Sequence, residues 1–339
     1  MNLIELNTKN WKSLLERPTK SVEDIENTVN EIFKDVAVNG DSAITRYTTI
    51  FDGVTLENTI VTQKEIDTAT SMVSSELKEA IQLAKTNIER FHSAQKTERV
   101  SVETAPGVLC WQEKRAIDKI GLYIPGGTAP LFSTVLMLAI PAKIAGCKEI
   151  VLCSPPDKNG EINPAILYAA QLCGVTKIYK VGGIQAIAAM TFGTDTISKV
   201  SKIFGPGNQF VTVAKQLATK HGVAIDMPAG PSELLVVADD SANASYVASD
   251  LLSQAEHGAD SQVILVSTSK KLIDEVEKEI QKQILDLPRV EIATKAIDNS
   301  KSIFVENDEI ALELINEYGP EHFIICTNNN DFYIDNIEN

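Results

Sequence analysis

An α/β fold made of two domains with parallel sheets is what this sequence predicts, and three observations predict it. Short apolar or β-branched runs alternate with helical stretches from Val108 to Cys326, the pattern of a parallel sheet covered by helices on both faces. The chain has 339 residues, 44% apolar and 23% charged, enough for roughly two domains with substantial cores. The stretch Asp226-Met-Pro-Ala-Gly-Pro-Ser-Glu233 separates two such alternating series, and its prolines and glycine suit a stiff linker.

The first hundred residues read as helical. Ser21 followed by Glu23 and Asp24 makes a capped, acidic helix start, and Ile25, Val29, Ile32, Phe33 and Val36 recur at helical spacing as far as Asn39-Gly40, a C-cap. A second helix begins at Asp41. A longer amphipathic helix runs from Thr62 or Gln63 to about His92, with Ile66, Met72, Leu77, Ile81, Leu83, Ile88 and Phe91 apolar. After Gly107 come runs with strand character, at 108–111, 119–124, 149–153, 177–181 and 200–204. Helical stretches separate them at 133–145, 163–173, 185–192 and 209–220. Beyond Asp226 follow a strand at 233–238, a helix at 242–255, a strand at 262–267, helices at 270–285 and 308–318, and a strand at 322–326. Aligning Gly146 with Gly258 sets 140–154 against 252–266, each a helix end, a glycine turn and an apolar strand, which hints at a duplication.

Composition narrows the function. The net charge is −15, from 31 Lys+Arg and 46 Asp+Glu, and the only marked basic cluster is Lys270-Lys271. Such a surface repels phosphate backbones and anionic lipid, so no nucleic-acid or membrane partner is expected. Residues 1–11 show no apolar core of signal-peptide length, and the longest apolar stretch, 131–142, is interrupted by Ser133, Thr134 and Pro141. The expectation is a cytoplasmic protein. The five cysteines are scattered, odd in number and include no C-x-x-C pair, which fits free thiols rather than a disulfide frame or a cysteine-built zinc site.

Three glycine-rich turns occupy strand-to-helix positions: Tyr123-Ile-Pro-Gly-Gly-Thr-Ala-Pro130, Val181-Gly-Gly-Ile-Gln-Ala186 and Phe204-Gly-Pro-Gly-Asn-Gln209. None is G-x-G-x-x-G. Each is either an ordinary tight turn or a place where exposed N–H groups receive a ligand, and in open parallel sheets ligands bind at the carboxyl ends of strands. Of the four histidines, His92 and His221 sit at helix ends and read as structural or exposed. In Ser253-Gln-Ala-Glu-His-Gly258 the spacing i, i+3 puts Gln254 and His257 on one helix face. That is either a polar last turn or a metal-binding pair, with Asp250 able to orient the imidazole. In Gly319-Pro-Glu-His-Phe323, Glu321 and His322 at a strand entry are either exposed charge or an acid/base couple.

Taken together, Ile225-Asp-Met-Pro-Ala-Gly-Pro-Ser-Glu-Leu234, Tyr123-Ile-Pro-Gly-Gly127, Phe204-Gly-Pro-Gly-Asn208, Ser253-Gln-Ala-Glu-His-Gly258 and Gly319-Pro-Glu-His322 resemble the histidinol dehydrogenase family. The resemblance runs from about Val22 to the last residues. It implies a zinc- and NAD-dependent four-electron oxidation of L-histidinol through L-histidinal to L-histidine, the final steps of histidine biosynthesis. Carried over by position, Gln254 and His257 are zinc ligands that also face substrate, Ser232 is a substrate contact, Glu321 and His322 are the acid/base pair with His322 also against substrate, and Tyr123, Gln185 and Asn208 contact the nicotinamide cofactor.

The fold implied is two similar incomplete Rossmann-like domains with parallel sheets covered by helices, one domain discontinuous, in an intertwined homodimer. On this reading residues 1–20 form an N-terminal arm, 21–122 with 233–339 the first and discontinuous domain, and 123–232 the second. The family's further zinc ligands, an Asp in a Ser-Ala-Gly-Asp-Tyr segment and a His of the neighbouring subunit, have no counterpart before Asn339, and Asp331 and Asp335 lie in no matching motif. The expectation is therefore a truncated member lacking the family's C-terminal tail domain, with weakened zinc affinity, a weakened dimer and impaired activity. Two other readings of the residues stand beside it: an aldehyde dehydrogenase-like enzyme with a cysteine nucleophile such as Cys153, and a non-catalytic ligand-binding relic.

Overall fold

The computed structural model describes residues 1–5, 15, 22–126, 130–227, 233–259 and 261–339. They fall into two compact units, Met1–Lys20 with Ala229–Asn339 as unit 1, and Ser21–Pro228 as unit 2. The expected cap Ser21 and the expected substrate contact Ser232 lie outside the described residues.

Unit 2 opens with α1 (Val22–Phe51), which bends at Gly40, where φ is 48° and ψ is −126°. That backbone lies in a region glycine enters without steric cost, so the expected break at Asn39-Gly40 appears as a kink between two helical halves. The long helix expected to begin near Gln63 is two helices, α2 (Gln63–Met72) and α3 (Ser75–Ala94). Val73 between them is extended, and the Ser74 side chain accepts from Leu77 N–H at 3.2 Å, capping the second. β2 (Ser101–Ala105) and β3 (Val108–Trp111) form an exposed antiparallel hairpin, so the run at 108–111 stands apart from the parallel sheet.

The sheet itself comprises β4 (Lys119–Tyr123), β5 (Glu149–Ser154), β6 (Lys177–Lys180), β7 (Lys202–Phe204) and β8 (Ala224–Ile225), all parallel, in the order β6-β5-β4-β7-β8. Four helices connect them: α4 (Phe132–Ala145), α5 (Pro164–Leu172), α6 (Gly183–Phe192) and α7 (Gln209–Lys220). Side chains alternate between faces. Val151 and Cys153 join a cluster with residues of α1, α6 and α7, while Ile150 and Leu152 join another with residues of α4 and α5. Each buried Ile or Leu contributes roughly 2 kcal/mol, so a one-residue slip of β5 is strongly disfavoured.

Unit 1 repeats the plan with β1 (Asn2–Glu5), β9 (Glu233–Ala238), β10 (Gln262–Ser267), β11 (Lys301–Phe304) and β12 (His322–Cys326), parallel in the order β1-β11-β10-β9-β12. Its helices are α8 (Ala244–Ala255), α9 (Lys270–Gln283), α10 (Val290–Asp298), α11 (Asp308–Tyr318) and α12 (Asn330–Asn336). In both sheets the first strand of the βα series has the second on one side and the fourth on the other, with the third beyond the second. The segments 140–154 and 252–266 are the same αβ step in each unit, a helix end leading into the series' second strand. The compact units divide the chain at other points than the resemblance implied. Residues 22–122 belong with unit 2, because α1 packs on α6 and α7 and β4 pairs with β5 and β7. Among the described residues no helix is long and apolar enough to cross a membrane.

Candidate active site

In unit 1 all strands run the same way, so a helix that leaves one strand's far end returns to the sheet's N-terminal edge. α8 returns there, and β12 starts there. This topology brings the last turn of α8 and the Gly319–His322 segment to one edge. It is the amino edge of the strands, in keeping with the strand entry at which Glu321 and His322 were expected.

Gln254, on the last turn of α8, is buried, and its amide nitrogen has no hydrogen-bond partner among the described residues. The His257 backbone N–H donates to the Gln254 carbonyl at 3.1 Å, closing the turn after the helix. His257 is exposed, yet partial desolvation is the largest influence in holding its pKa below the ordinary imidazole value. The charges of His322 and Arg289 add to the same direction, and Glu256 and Glu321 oppose it. The lowered pKa favours the neutral imidazole, the form that ligates metals or accepts protons.

His322 and Glu321 are both substantially exposed, with Nδ1 and Oε2 4.0 Å apart. What holds them is Glu233, a buried carboxylate at the first position of β9: it accepts from Glu321 N–H at 3.1 Å and from the Tyr318 hydroxyl at 3.1 Å. Tyr318 also lies 2.9 Å from the Gln262 side chain. Glu233 was not singled out in the sequence, although a carboxylate heading an otherwise apolar buried strand is a visible signal, since burying an unpartnered charge is costly. Asp250 does not reach His257: no hydrogen bond joins them, and its charge acts instead on Cys326, at the opposite end of β12. As zinc donors Gln254 and His257 fit two positions of a tetrahedral site. Among the described residues no group of three or more His, Cys, Asp or Glu could hold a metal.

In unit 2 the candidate cofactor residues sit at the carboxyl edge of the sheet. Tyr123 ends β4, buried, with its hydroxyl accepting from Gly183 N–H at 3.1 Å; burial first, then the Asp52 and Cys153 charges, raise its pKa to about 12. Gln185, on the first turn of α6, is wholly buried, and neither atom of its amide has a hydrogen-bond partner among the described residues. Its Oε1 lies 3.1 Å from where a Cβ on Gly183 would stand. A buried orphaned amide is expensive, and here it faces a helix start, a suitable place for a polar ligand. Asn208 caps α7, its Oδ1 accepting from Val211 N–H at 3.1 Å.

The turn before Asn208 is locked by an ion pair of the buried Lys215 with the half-buried Asp226. Lys215 Nζ donates to the Gly205 carbonyl at 2.7 Å, while Asp226 Oδ2 accepts from Gly205 N–H at 2.8 Å. The Asp226 Oδ1 oxygen faces the Lys215 ammonium as an ion pair rather than in hydrogen-bond geometry. A Cβ at Gly205 would lie 2.1 Å from the Tyr123 carbonyl, and its φ is +130°, so only glycine fits. Cys153, the alternative nucleophile, is fully buried, and burial pushes its thiol up to about 12. A thiol held protonated is a poor nucleophile.

Comparison with known proteins bears on the family of the chain. The family model for histidinol dehydrogenase matches residues 15–339. The chain is 59% identical over 330 residues to the histidinol dehydrogenase of Bacteroides thetaiotaomicron, covering 97% of this chain and 77% of the relative. It is 52% identical over 332 residues to that of Escherichia coli O157:H7, covering 97% and 76%. The crystal structure of histidinol dehydrogenase from Elizabethkingia anophelis superposes with a TM-score of 0.95 at 52% identity, covering 100% of this chain and 78% of that one. An NAD-dependent aldehyde dehydrogenase from Sinorhizobium meliloti, at 11% identity and a TM-score of 0.53, shares the fold alone. On the strength of the matched motifs and of this identity along nearly its whole length, the chain belongs to the histidinol dehydrogenase family of oxidoreductases.

Proposed function

We propose that the protein oxidises L-histidinol through L-histidinal to L-histidine with NAD+ as acceptor, Glu321 and His322 moving the protons. The observation that carries this reading is the grouping of Glu321, His322 and the neutral imidazole of His257 at one sheet edge, with Glu233 holding the Glu321 backbone. NAD+ would accept a hydride in each of two oxidations, and zinc held by Gln254 and His257 would grip and polarise the substrate.

In the first oxidation His322 takes the alcohol proton as the carbinol hydrogen leaves as hydride, giving the aldehyde. In the second, Glu321 removes a proton from the water that adds to the aldehyde carbon, a second hydride leaves from that adduct to give the carboxylic acid, and the acid loses its remaining proton to water as the carboxylate. Both side chains are open to solvent, so each proton taken up can be passed to water. Tyr123, Gln185 and Asn208 belong to the dinucleotide side, Gln185 offering a donor and an acceptor with no competing partner. A homodimer accompanies this function in the family reading.

Histidinol-dependent formation of reduced cofactor tests the assignment. His322→Asn is expected to lower kcat by about 10² to 10⁴ with KM for histidinol changed far less. Unchanged kcat in that variant removes His322 from the reaction. His257→Ala should lower zinc content in metal analysis while His322→Asn leaves it intact. Equal zinc in wild type and His257→Ala defeats the ligand assignment.

A further inference from the structure

α1 and α6 lie antiparallel in unit 2. Asp41, near the middle of α1, accepts from Thr196 N–H at 3.1 Å and from Thr196 Oγ1 at 2.8 Å, just past the end of α6. From Asp41 to Asp52, and from Phe192 back to Gly183, each helix travels about 15 Å at 1.5 Å per residue. The end of α1 therefore arrives beside the start of α6. Asp52 stands there, close enough for its charge to act on the Tyr123 hydroxyl, which in turn holds Gly183 N–H beside Gln185.

Asp52 is an odd residue for that place. Its backbone N–H donates to the Thr48 carbonyl at 2.9 Å, so its carboxylate sits at a helix C-terminus, where the partial charge is negative. Oδ2 is buried and has no hydrogen-bond partner, and Thr48 Oγ1, one turn earlier on the same face, is in the same condition. Burial alone raises its pKa, to about 6, with no cation lowering it. Burial and helix dipole both oppose the charge, and among the described residues no hydrogen bond or cation repays them. Stability surrendered without a structural return points to a group kept for a ligand.

We propose that Asp52 is a ribose-binding and specificity-determining residue of the dinucleotide site, its carboxylate accepting hydroxyl protons of a vicinal diol beside Tyr123 and Gln185. The proposal rests on the dinucleotide reading given above and deepens it. A diol supplies two donors to a carboxylate that has none, and a carboxylate at a ribose 2′-hydroxyl disfavours a 2′-phosphate. NAD+ is thereby selected over NADP+.

Calorimetric titration of the full chain with NAD+ and with NADP+, alongside thermal unfolding without ligand, tests this in wild type, Asp52→Asn and Asp52→Ser. Wild type should bind NAD+ roughly 100-fold more tightly than NADP+. Both variants should weaken NAD+ by about tenfold or more, leave NADP+ unchanged or tighter, and raise Tm. A purely structural residue would instead lower Tm and move both dinucleotides together, and that result overturns the proposal. Wild type that binds NAD+ with the variants unchanged overturns the Asp52 assignment and leaves the dinucleotide reading standing. Wild type that binds neither dinucleotide overturns both.

Discussion

Glu233, Glu321 and His322 show how a pair of exposed catalytic candidates is placed by a residue that never meets solvent. Glu233 spends its two oxygens on the Glu321 amide and the Tyr318 hydroxyl, so Glu233→Ala should cost on the order of 2 kcal/mol in urea unfolding and lower kcat through Glu321. Asp52 supplies the pH prediction at this scale. Its native pKa of about 6 lies above the ordinary 3.8, so the native state holds the proton more tightly than the unfolded chain does. The stabilisation this gives is fully present below about pH 4 and is lost as pH rises through about 6. Between pH 4 and pH 8 wild type should therefore lose up to about 2 kcal/mol relative to Asp52→Asn, allowing for partial exposure; parallel pH profiles in chemical denaturation would contradict it. The motifs carrying Glu321, His322, Gln254 and His257 stand out in the sequence, and the structure brings Glu321 and His322 within electrostatic reach of His257. Asp52 was not legible, because burial marks it and burial is a property of the fold; Glu233 was passed over although it heads an apolar run in the sequence.

Among the elements, the turn between β7 and α7 is the most tightly specified. Gly205→Ala would drive a methyl into the Tyr123 carbonyl and should abolish a measurable NAD+ affinity before it abolishes folding. Lys215→Met strands the Asp226 carboxylate and should cost on the order of 3 kcal/mol, read as a fall in the urea midpoint. Helices such as Gln209–Lys220 and Asp308–Tyr318, and strands such as Glu233–Ala238, were legible to the residue because apolar periodicity and caps agree there. The break at Ser74 was missed: α2 and α3 both keep a helical stripe, and only a serine cap interrupts it. Ser74→Ala should cost about 1 kcal/mol. The strand at 108–111 was read from the sequence, but its partner β2 was not, and the two pair as an exposed antiparallel hairpin rather than joining the parallel sheet.

For the whole molecule, two parallel sheets with a shared strand order make the α/β class legible from alternation alone. The grouping of residues 22–122 with the later strands of unit 2 was not, since only tertiary packing decides which sheet a helix covers. The central claim is that Glu321 activates water for the second oxidation while His322 serves the first. Its most direct measurement is the number of reduced cofactors formed per histidinol consumed, in wild type and in Glu321→Gln. The account predicts about two for wild type and about one for Glu321→Gln, with aldehyde accumulating. Two per histidinol in the variant at an undiminished rate would contradict it.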